Sequence, residues 1–179
     1  MTHEEACSDA GADATARAAK PKAYITLLGR SVWALTNSYC AAIRERNYLP
    51  SRVCIITEEP YKGALDNAVR GVEVISAFFG SAPAISREVV AEGCFQDAGN
   101  RVSAAVKGLR ADGYEVALDI TPGRKALVAG SLLALMKIPT DHVFYLEIST
   151  LDGASKPYLM IPFQAQRLHD FIEDARGHA

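Results

Sequence analysis

The stretch that decides the fold is Asp-Ile-Thr-Pro-Gly-Arg-Lys-Ala-Leu-Val-Ala-Gly, residues 119–130. An apolar run over residues 114–120 leads into it and predicts a strand, and a strongly apolar helical pattern follows over residues 124–137. A strand that turns directly into a helix presents free backbone N–H groups and the positive end of the helix dipole to whatever lies above the turn. Because Arg124 and Lys125 occupy that turn, the sequence predicts an anion site, and phosphate is the anion that suits it best.

A second turn of the same kind, Leu28-Gly29-Arg30-Ser31, lies near the N-terminus. A β-branched and apolar run over residues 22–28 predicts a strand before it, and apolar residues at helical spacing predict a helix after it that ends near Asn47. In open α/β sheets, ligands bind above the carboxyl ends of the strands, where the strand order reverses. Both turns are therefore expected to face one pocket, although about 90 residues separate them.

Strand and helix patterns alternate along the rest of the chain, which predicts parallel strands joined by right-handed crossovers. Further strands are predicted over residues 52–57, 85–90, 143–149 and 158–162. The last two, around a turn at residues 152–155, are expected to be antiparallel because their connection is short. The predicted fold class is α/β: a Rossmann-like three-layer sandwich whose mostly parallel sheet carries an antiparallel strand pair at one edge.

Two of the predicted helices have a distinctive apolar pattern. The pattern over residues 124–137 is apolar nearly all round, and such a helix is expected to be central. Leu168, Phe171 and Ile172 predict a final amphipathic helix near the C-terminus.

The composition is that of an ordinary soluble domain, with 49% of the 179 residues hydrophobic, 22% charged and a formal net charge of −2. With so little net charge, long nucleic acid is not an expected partner, and any anion site must be local. The longest uncharged apolar run, residues 126–136, is shorter than the roughly 20 residues that span a bilayer, so no membrane segment is expected. Residues 22–179 are interpreted as a single domain.

The first 21 residues lack an apolar core, so they are interpreted as a disordered leader rather than a signal peptide or an anchor. The four cysteines show no C-x-x-C spacing and the four histidines are scattered, so neither a metal site nor a cofactor is expected. Free cysteines without a signal peptide favour the reducing cytoplasm.

The two turns resemble the hallmarks of the CRISPR-associated Rossmann fold family, the CARF domains. The segment Leu27 to Ser31 resembles the first-strand turn of that family, which leads into a helix carrying a Thr such as Thr36. The segment Asp119 to Lys125 is similar to the second hallmark, an Asp/Asn-x-Thr-Gly-Gly-Thr-Lys-like turn. The strand that ends in Thr57-Glu58 also fits, and the resemblance covers roughly residues 22–163.

This sequence departs from the family pattern at two positions. Pro122 replaces the usual first glycine, which removes one backbone N–H and fixes φ. Arg124 replaces the usual second Thr, which exchanges a hydroxyl for a guanidinium, a group at least as well suited to phosphate.

The resemblance implies a homodimer that binds a cyclic oligoadenylate across its two-fold axis, usually the ring of four. A symmetric ring with four phosphates suits an isologous dimer, because each subunit supplies the same loops. The residues implied to contact the ligand are Gly29, Arg30, Ser31, Thr36, Thr57, Glu58, Thr121, Pro122, Gly123, Arg124 and Lys125.

CARF domains normally regulate a fused effector, but only about 16 residues follow the last predicted strand, which is too few for one. The chain therefore resembles the stand-alone ring nucleases of type III CRISPR systems. In these enzymes no metal is needed, because an adenosine 2′-OH attacks the adjacent phosphate and leaves a 2′,3′-cyclic phosphate. Ser31 is expected to contact the reacting centre, and Lys125 and Arg30 to neutralise the equatorial oxygens, with help from Arg124.

Other interpretations of the same residues stay open. The chain is alternatively a sensor that binds the ring without cleaving it and regulates a separate or fused effector. A third hypothesis is a nucleotide or dinucleotide enzyme, although no G-x-G-x-x-G follows the first strand. Locally, Ser31 is also a good helix N-cap, and Arg30 and Lys125 are also compatible with an ordinary solvated surface.

Overall fold

The computed structural model describes residues 20–150 and 155–177. Strands and helices alternate along these residues, and a 3₁₀ helix, Glu59–Ala64, joins the second strand to the second helix. The strands are β1 (Lys22–Leu28), β2 (Arg52–Glu58), β3 (Ala84–Val90), β4 (Glu115–Asp119), β5 (His142–Ile148) and β6 (Gln166–Asp170). The helices are α1 (Val32–Arg46), α2 (Leu65–Phe78), α3 (Phe95–Ala111), α4 (Lys125–Leu135) and α5 (Phe171–Gly177).

The six strands form one sheet in the order β3-β2-β1-β4-β5-β6. The first five strands are parallel, and β6 runs antiparallel to β5 at the edge. The chain leaves β1 towards β2 and β3 on one side and returns to β4 on the other, so the strand order reverses between β1 and β4. The predicted fold class, a Rossmann-like α/β sandwich with an antiparallel edge pair, is confirmed.

Helices cover both faces of the sheet, and each face has its own apolar core. One core joins α1 and α2 to side chains such as Tyr24 and Phe144, and the other joins α3 and α4 to neighbours such as Ile25 and Val143. Successive strand residues point to opposite faces, and β1 is buried on both from Ala23 to Leu28. Three layers therefore hold the carboxyl ends of β1 and β4 side by side.

The antiparallel edge strand is not the one predicted. Residues 158–162 form a short 3₁₀ turn, Tyr158–Met160, whereas β6 is formed by Gln166–Asp170, so Leu168 belongs to a strand and not to the final helix. Pro157 precedes the predicted strand and Pro162 is its last residue, and neither can donate a backbone N–H to a ladder. Tyr158 instead packs on α1, where its hydroxyl donates to Glu45 Oε1 at 2.7 Å. The predicted turn at residues 152–155 lies mostly outside the described residues, as does nearly all of the predicted leader.

The expectation that the helix after β4 is central was wrong. Within α4 only Leu127, Gly130 and Ser131 are buried, because the helix packs on the sheet and on α3 with its remaining side uncovered. The α3 contact is close: a Cβ on Gly99 would lie 2.7 Å from the Gly130 carbonyl oxygen. Among the described residues, none of the helices combines the length and apolar character that crossing a bilayer requires.

Candidate anion site where the strand order reverses

The turns after β1 and β4 touch each other. A Cβ on Gly29 would lie 2.5 Å from the carbonyl oxygen of Pro122 and 3.3 Å from Cγ of Arg124. The contact follows from the register, because β1 and β4 pair directly, with Thr26 opposite Asp119. The topology thus brings two distant sequence motifs to one place on the carboxyl edge of the sheet.

Tyr61 lies between the arginines of the two turns. The neighbouring Tyr61 hydroxyl raises the pKa of Arg30, which is exposed. The guanidinium of Arg124 lies over the ring of the same tyrosine, 5.2 Å from its centroid. The half-buried Tyr61 therefore sets the positions of two cations that reach it from different strands.

Two carboxylates hold Arg124 from the other side. Its Nη1 lies 3.4 Å from Oε2 of Glu58, which is buried, and 3.5 Å from Oε1 of Glu92, which is exposed. Oε1 of Glu58 also accepts the N–H of Gly93 at 2.8 Å. Glu58 therefore supports Arg124, and its contact with the ligand stays a prediction.

Lys125 is the first residue of α4 and is exposed. Among the described residues, no side chain or backbone group forms a hydrogen bond or ion pair with its ammonium group. The residue before it, Arg124, is the N-cap and makes no side-chain capping bond, so the first N–H groups of the helix have no side-chain acceptor at this position. An exposed lysine and uncapped N–H groups thus occur together at the start of α4.

Ser31 is the N-cap of α1. Its Oγ accepts the N–H of Ala34 at 3.1 Å while the residue remains half exposed. Capping uses one lone pair of the hydroxyl, and its proton and second lone pair stay available to a ligand. Both roles considered for Ser31 are therefore compatible in this geometry.

A buried carboxylate holds the β4 turn in shape. Asp119 Oδ2 accepts the hydroxyls of Thr26 at 2.9 Å and Ser38 at 2.6 Å, and its Oδ1 accepts the N–H of Thr121 at 3.0 Å. Burial raises the pKa of Asp119, and these hydrogen bonds act in the opposite direction. The hydroxyl oxygen of Thr121 in turn accepts the N–H of Leu146 at 2.8 Å, which joins the turn to β5.

The Pro122-Gly123 segment is tightly packed. Pro122 is buried, and a Cβ on Gly123 would lie 2.6 Å from Cγ2 of Val128 and 3.0 Å from Cβ of Leu27. The glycine is needed here for close approach to β1, which brings the N-terminus of α4 down onto the sheet.

Two predicted ligand contacts lie away from this surface. Thr57 is fully buried, and its hydroxyl donates to the carbonyl of Leu28 at 2.8 Å across the β1–β2 pair. Thr36 lies one turn into α1, where its hydroxyl donates to the carbonyl of Val32 at 3.1 Å and its methyl group faces Gly71 of α2. The structure assigns both residues packing and hydrogen-bonding roles within the fold.

Sequence reasoning missed Tyr61 and Glu92 as parts of the site. Neither belongs to one of the two turns, and both become neighbours of Arg124 only through folding. One signal was present for Tyr61: it lies just beyond the carboxyl end of β2, the strand beside β1, and such positions face the ligand edge of an α/β sheet.

The arrangement is a group of cations rather than an acid–base pair. Arg30, Arg124 and Lys125 lie on two adjoining turns, and uncapped N–H groups at the start of α4 add a partial positive charge. Cationic side chains and free N–H groups of this kind are suited to contact phosphate groups.

One group of side chains in the described residues has the composition of a metal site, at the opposite end of the sheet. Ligand atoms of His142, Asp170 and Glu173 lie within 4.8 Å of one another. The imidazole Nδ1 is already hydrogen-bonded to Asp170 Oδ2 at 2.6 Å, and Glu173 pairs with Arg46 at 2.7 Å. These partners satisfy the group as a network of ion pairs.

No protein-family model and no curated protein matches the chain in sequence. Solved structures do match its fold. A type III CRISPR defence DNA nuclease activated by cyclic oligoadenylate aligns at a TM-score of 0.54 and 17% identity, over 72% of this chain and 19% of its own. Can2 from Sulfobacillus thermosulfidooxidans, in complex with cyclic tetra-adenylate, aligns at a TM-score of 0.51 and 15% identity, over 69% of this chain and 31% of its own.

Csm6 from Enterococcus italicus, bound to cyclic hexa-2′-fluoro-hexa-dAMP, aligns at a TM-score of 0.58 and 15% identity, over 88% of this chain and 44% of its own. These neighbours are CARF-domain proteins, so the fold implied by the resemblance of the two turns is confirmed. This chain spans less than half the length of each of them.

Proposed function

We propose that this chain binds a cyclic oligoadenylate, with cyclic tetra-adenylate as the expected ring, and that a homodimer presents the site. The observation that carries the proposal is the contact between the Gly29 and Pro122 turns, which brings together the two turns that carry Arg30, Arg124 and Lys125. An open, cationic edge suits a ligand that carries several phosphates. Proteins with the same fold are activated by, or were solved with, ligands of this class.

We further propose that the chain cleaves the ring as a ring nuclease. The 2′-oxygen of one adenosine attacks the adjacent phosphorus, a P–O2′ bond forms, and the P–O5′ bond breaks. The 2′-OH proton leaves to solvent and the departing 5′-oxygen takes up a proton, which yields linear products with a 2′,3′-cyclic phosphate. No metal takes part in this step.

The residues that we assign to cleavage are Ser31, Arg30 and Lys125. The hydroxyl of Ser31 remains half exposed beside Arg30 and is suited to orient the ribose or the phosphate. Lys125 has no ion-pair partner among the residues that the structure describes, so its charge is free to neutralise the equatorial oxygens of the phosphate. Arg124 is fixed in position by Glu58 and Glu92. It is therefore better placed to bind a phosphate of the ring than to move with the phosphate that reacts.

The direct test is to incubate the protein with rings of three, four and six adenylates in EDTA and to identify the products by mass spectrometry. Linear di-adenylate with a 2′,3′-cyclic phosphate is expected from the ring of four. Lys125→Ala should lower both binding and cleavage, whereas Lys137→Ala, which removes an exposed lysine beyond the other end of α4, should leave both unchanged. Undiminished cleavage by Lys125→Ala would remove Lys125 from the mechanism.

The second candidate function is a sensor that binds the ring without cleaving it. Ser31 caps α1, and that role by itself accounts for its position, which favours this alternative. Tight binding with no turnover over hours would select the sensor. A thermal shift with NAD or ATP, and none with any ring, would contradict both proposals and favour a nucleotide enzyme.

A further inference from the structure

Arg124 shares one guanidinium nitrogen between two carboxylates of different character. Its Nη1 lies 3.4 Å from Oε2 of Glu58 and 3.5 Å from Oε1 of Glu92. The side chain of Glu58 is 2% exposed, whereas that of Glu92 is 62% exposed. Solvent and dissolved ions therefore compete for the contact with Glu92 far more than for the contact with Glu58.

The contact between Glu58 and Arg124 is part of the fold. Both carboxylate oxygens of Glu58 are engaged, because Oε2 lies beside Arg124 and Oε1 accepts the N–H of Gly93 at 2.8 Å. A buried carboxylate that loses such partners is costly. The contact with Glu58 therefore fixes the guanidinium in place, and an anion that reaches Arg124 does so from the exposed side.

Glu92 reaches Arg124 from a turn whose backbone is fixed. The turn of residues 91–94 is closed by a hydrogen bond of 3.2 Å from its last N–H to its first carbonyl. Gly93 has a φ of 67°, which glycine adopts without strain, and its N–H ties the turn to Glu58 on β2. The backbone thus keeps Glu92 beside Arg124, while the exposed side chain is free to turn away.

We propose that Glu92 is a competing counter-ion of the anion site: it neutralises Arg124 until a phosphate of the ligand replaces it. The inference rests on the proposed function and adds how the same site is regulated. An exposed ion pair contributes little to stability, so its exchange has a low cost. Phosphate offers Arg124 charge-assisted hydrogen bonds in return.

The charges around the two turns support this role. Three cationic side chains, Arg30, Arg124 and Lys125, stand against two carboxylates, Glu58 and Glu92, and both carboxylates contact the same arginine. A phosphate that approaches Arg124 also meets the negative charge of Glu92. Loss of that charge therefore frees the guanidinium and removes a repulsion, and both effects strengthen anion binding.

The exchange favours a ligand that carries several phosphates. A small anion has to displace Glu92 with only the contacts that it makes at Arg124. A ring that also contacts Arg30 and Lys125 brings its next phosphate to Arg124 at a high effective concentration. The cost of the exchange is the same for both ligands, but it leaves measurable binding only to the ligand that starts with the higher affinity.

Isothermal titration calorimetry with cyclic tetra-adenylate tests the competition. Glu92→Gln should bind roughly three- to tenfold more tightly than wild type, whereas Glu58→Gln should bind more weakly because it releases the guanidinium. Glu173→Gln is the matched control with unchanged Kd, since it removes a carboxylate that pairs with Arg46 at 2.7 Å at the opposite end of the sheet. Unchanged or weaker binding by Glu92→Gln would overturn the proposal, and so would an equal gain in Glu58→Gln.

A double-mutant cycle tests whether Glu92 acts through Arg124. In the Arg124→Gln background, which keeps a hydrogen-bond donor for Glu58, the gain from Glu92→Gln should disappear. Low ionic strength keeps the weaker binding of these variants measurable, and circular dichroism checks that each is folded. A gain of the same size without Arg124 would assign the effect to general repulsion and overturn the exchange.

Inorganic pyrophosphate separates a failure of this inference from a failure of the proposed function. Millimolar pyrophosphate should raise the melting temperature of Glu92→Gln more than that of wild type. Equal ring affinity and equal pyrophosphate shifts in the two proteins would overturn the inference and leave the proposed function standing. Binding of no ring by either protein, with pyrophosphate still favouring Glu92→Gln, would contradict the proposed function and leave the exchange at Arg124 standing.

Discussion

Gly29 lies so close to Pro122 that a methyl group on its Cα would sit 2.5 Å from the Pro122 carbonyl oxygen. Through this contact the turn after β1 rests on the turn after β4, and the positions of Arg30 and Lys125 depend on it. A side chain at residue 29 cannot be accommodated by a rotamer change, because the obstacle is backbone. The contact therefore controls the spacing of cations that the sequence places far apart.

The substitution Gly29→Ala should push the two turns apart. The expected cost is about 1–3 kcal/mol of unfolding free energy, as for other overpacked sites, together with at least tenfold weaker binding of cyclic tetra-adenylate. Denaturant unfolding and isothermal titration calorimetry measure the two effects. Gly108→Ala is the control, since a Cβ there meets nothing within 4 Å and alanine favours the helix. Wild-type affinity in Gly29→Ala would show that the contact does not organise the site.

Asp119→Ala should be strongly destabilising. It would leave the hydroxyl of Thr26 and the N–H of Thr121 without their acceptor in a buried place, whereas the hydroxyl of Ser38 keeps the carbonyl of Leu35. The expected cost is about 3 kcal/mol. Asp119→Asn keeps an acceptor, and since burial already raises the pKa of this carboxyl, loss of its charge should cost less. In chemical denaturation, the free energy of unfolding should be highest for wild type, lower for Asp119→Asn and lowest for Asp119→Ala. The control Asp112→Ala, at an exposed position, should be close to wild type. A small effect of Asp119→Ala would contradict the role of this carboxylate in shaping the turn.

Tyr61 should affect ligand binding without touching the reacting atoms. Tyr61→Phe removes only the hydroxyl that neighbours Arg30, whereas Tyr61→Ala also removes the ring beneath Arg124. The contact between the Tyr61 ring and Arg124 is worth about 1 kcal/mol, which corresponds to roughly a fivefold change in Kd. Tyr61→Ala should therefore weaken ligand binding more than Tyr61→Phe does. Tyr114→Ala is the matched control, because its ring carries Arg52 at 5.5 Å elsewhere on the molecule. The idea fails if Tyr114→Ala weakens binding as much as Tyr61→Ala.

The stability of the chain should fall as the pH rises above neutrality, through His142. Burial acts to lower the pKa of His142, but the hydrogen bond and charge of Asp170 and the charge of Glu115 outweigh it, and the net pKa is raised. A raised folded-state pKa means that the stabilisation is complete below the unfolded value of about 6.5 and is lost as the pH rises through the folded value.

Urea unfolding at several pH values tests this expectation. His142→Gln should lose the part of the pH dependence that lies above pH 6.5 or so. His169→Gln, which removes an exposed ion pair with Glu147 from the same sheet edge, should keep the wild-type profile. The assignment to His142 would be wrong if both variants kept that profile. The lowered pKa of Asp170 adds a separate loss of stability at acid pH, as that carboxylate becomes protonated.

Local sequence patterns were sufficient for the two turns but not for every element. The strand of residues 22–28 and the helix that ends at Arg46 were predictable, because each has a clear period and a clear stop. The edge strand was not, because residues 158–162 are apolar up to Pro162 whereas residues 166–170 have one apolar residue, Leu168, so the local pattern favours the wrong segment. The sequence pattern did not show that the hydroxyls of Thr36 and Thr57 bond to backbone carbonyls, because a pattern cannot show which way a hydroxyl points.

By itself the sequence determined that strands alternate with helices, that two Gly-bearing turns with cations follow the first and fourth strands, and that the net charge requires any anion site to be local. Those properties depend only on composition and on residues that are close in the chain, and both can be read from the sequence. Only the tertiary structure decided that Tyr61 joins Arg30 to Arg124, that Glu58 supports the site from below, and that α4 keeps an uncovered apolar side. These features arise from contacts between segments far apart in the chain, and burial and direction become defined only when those segments pack together.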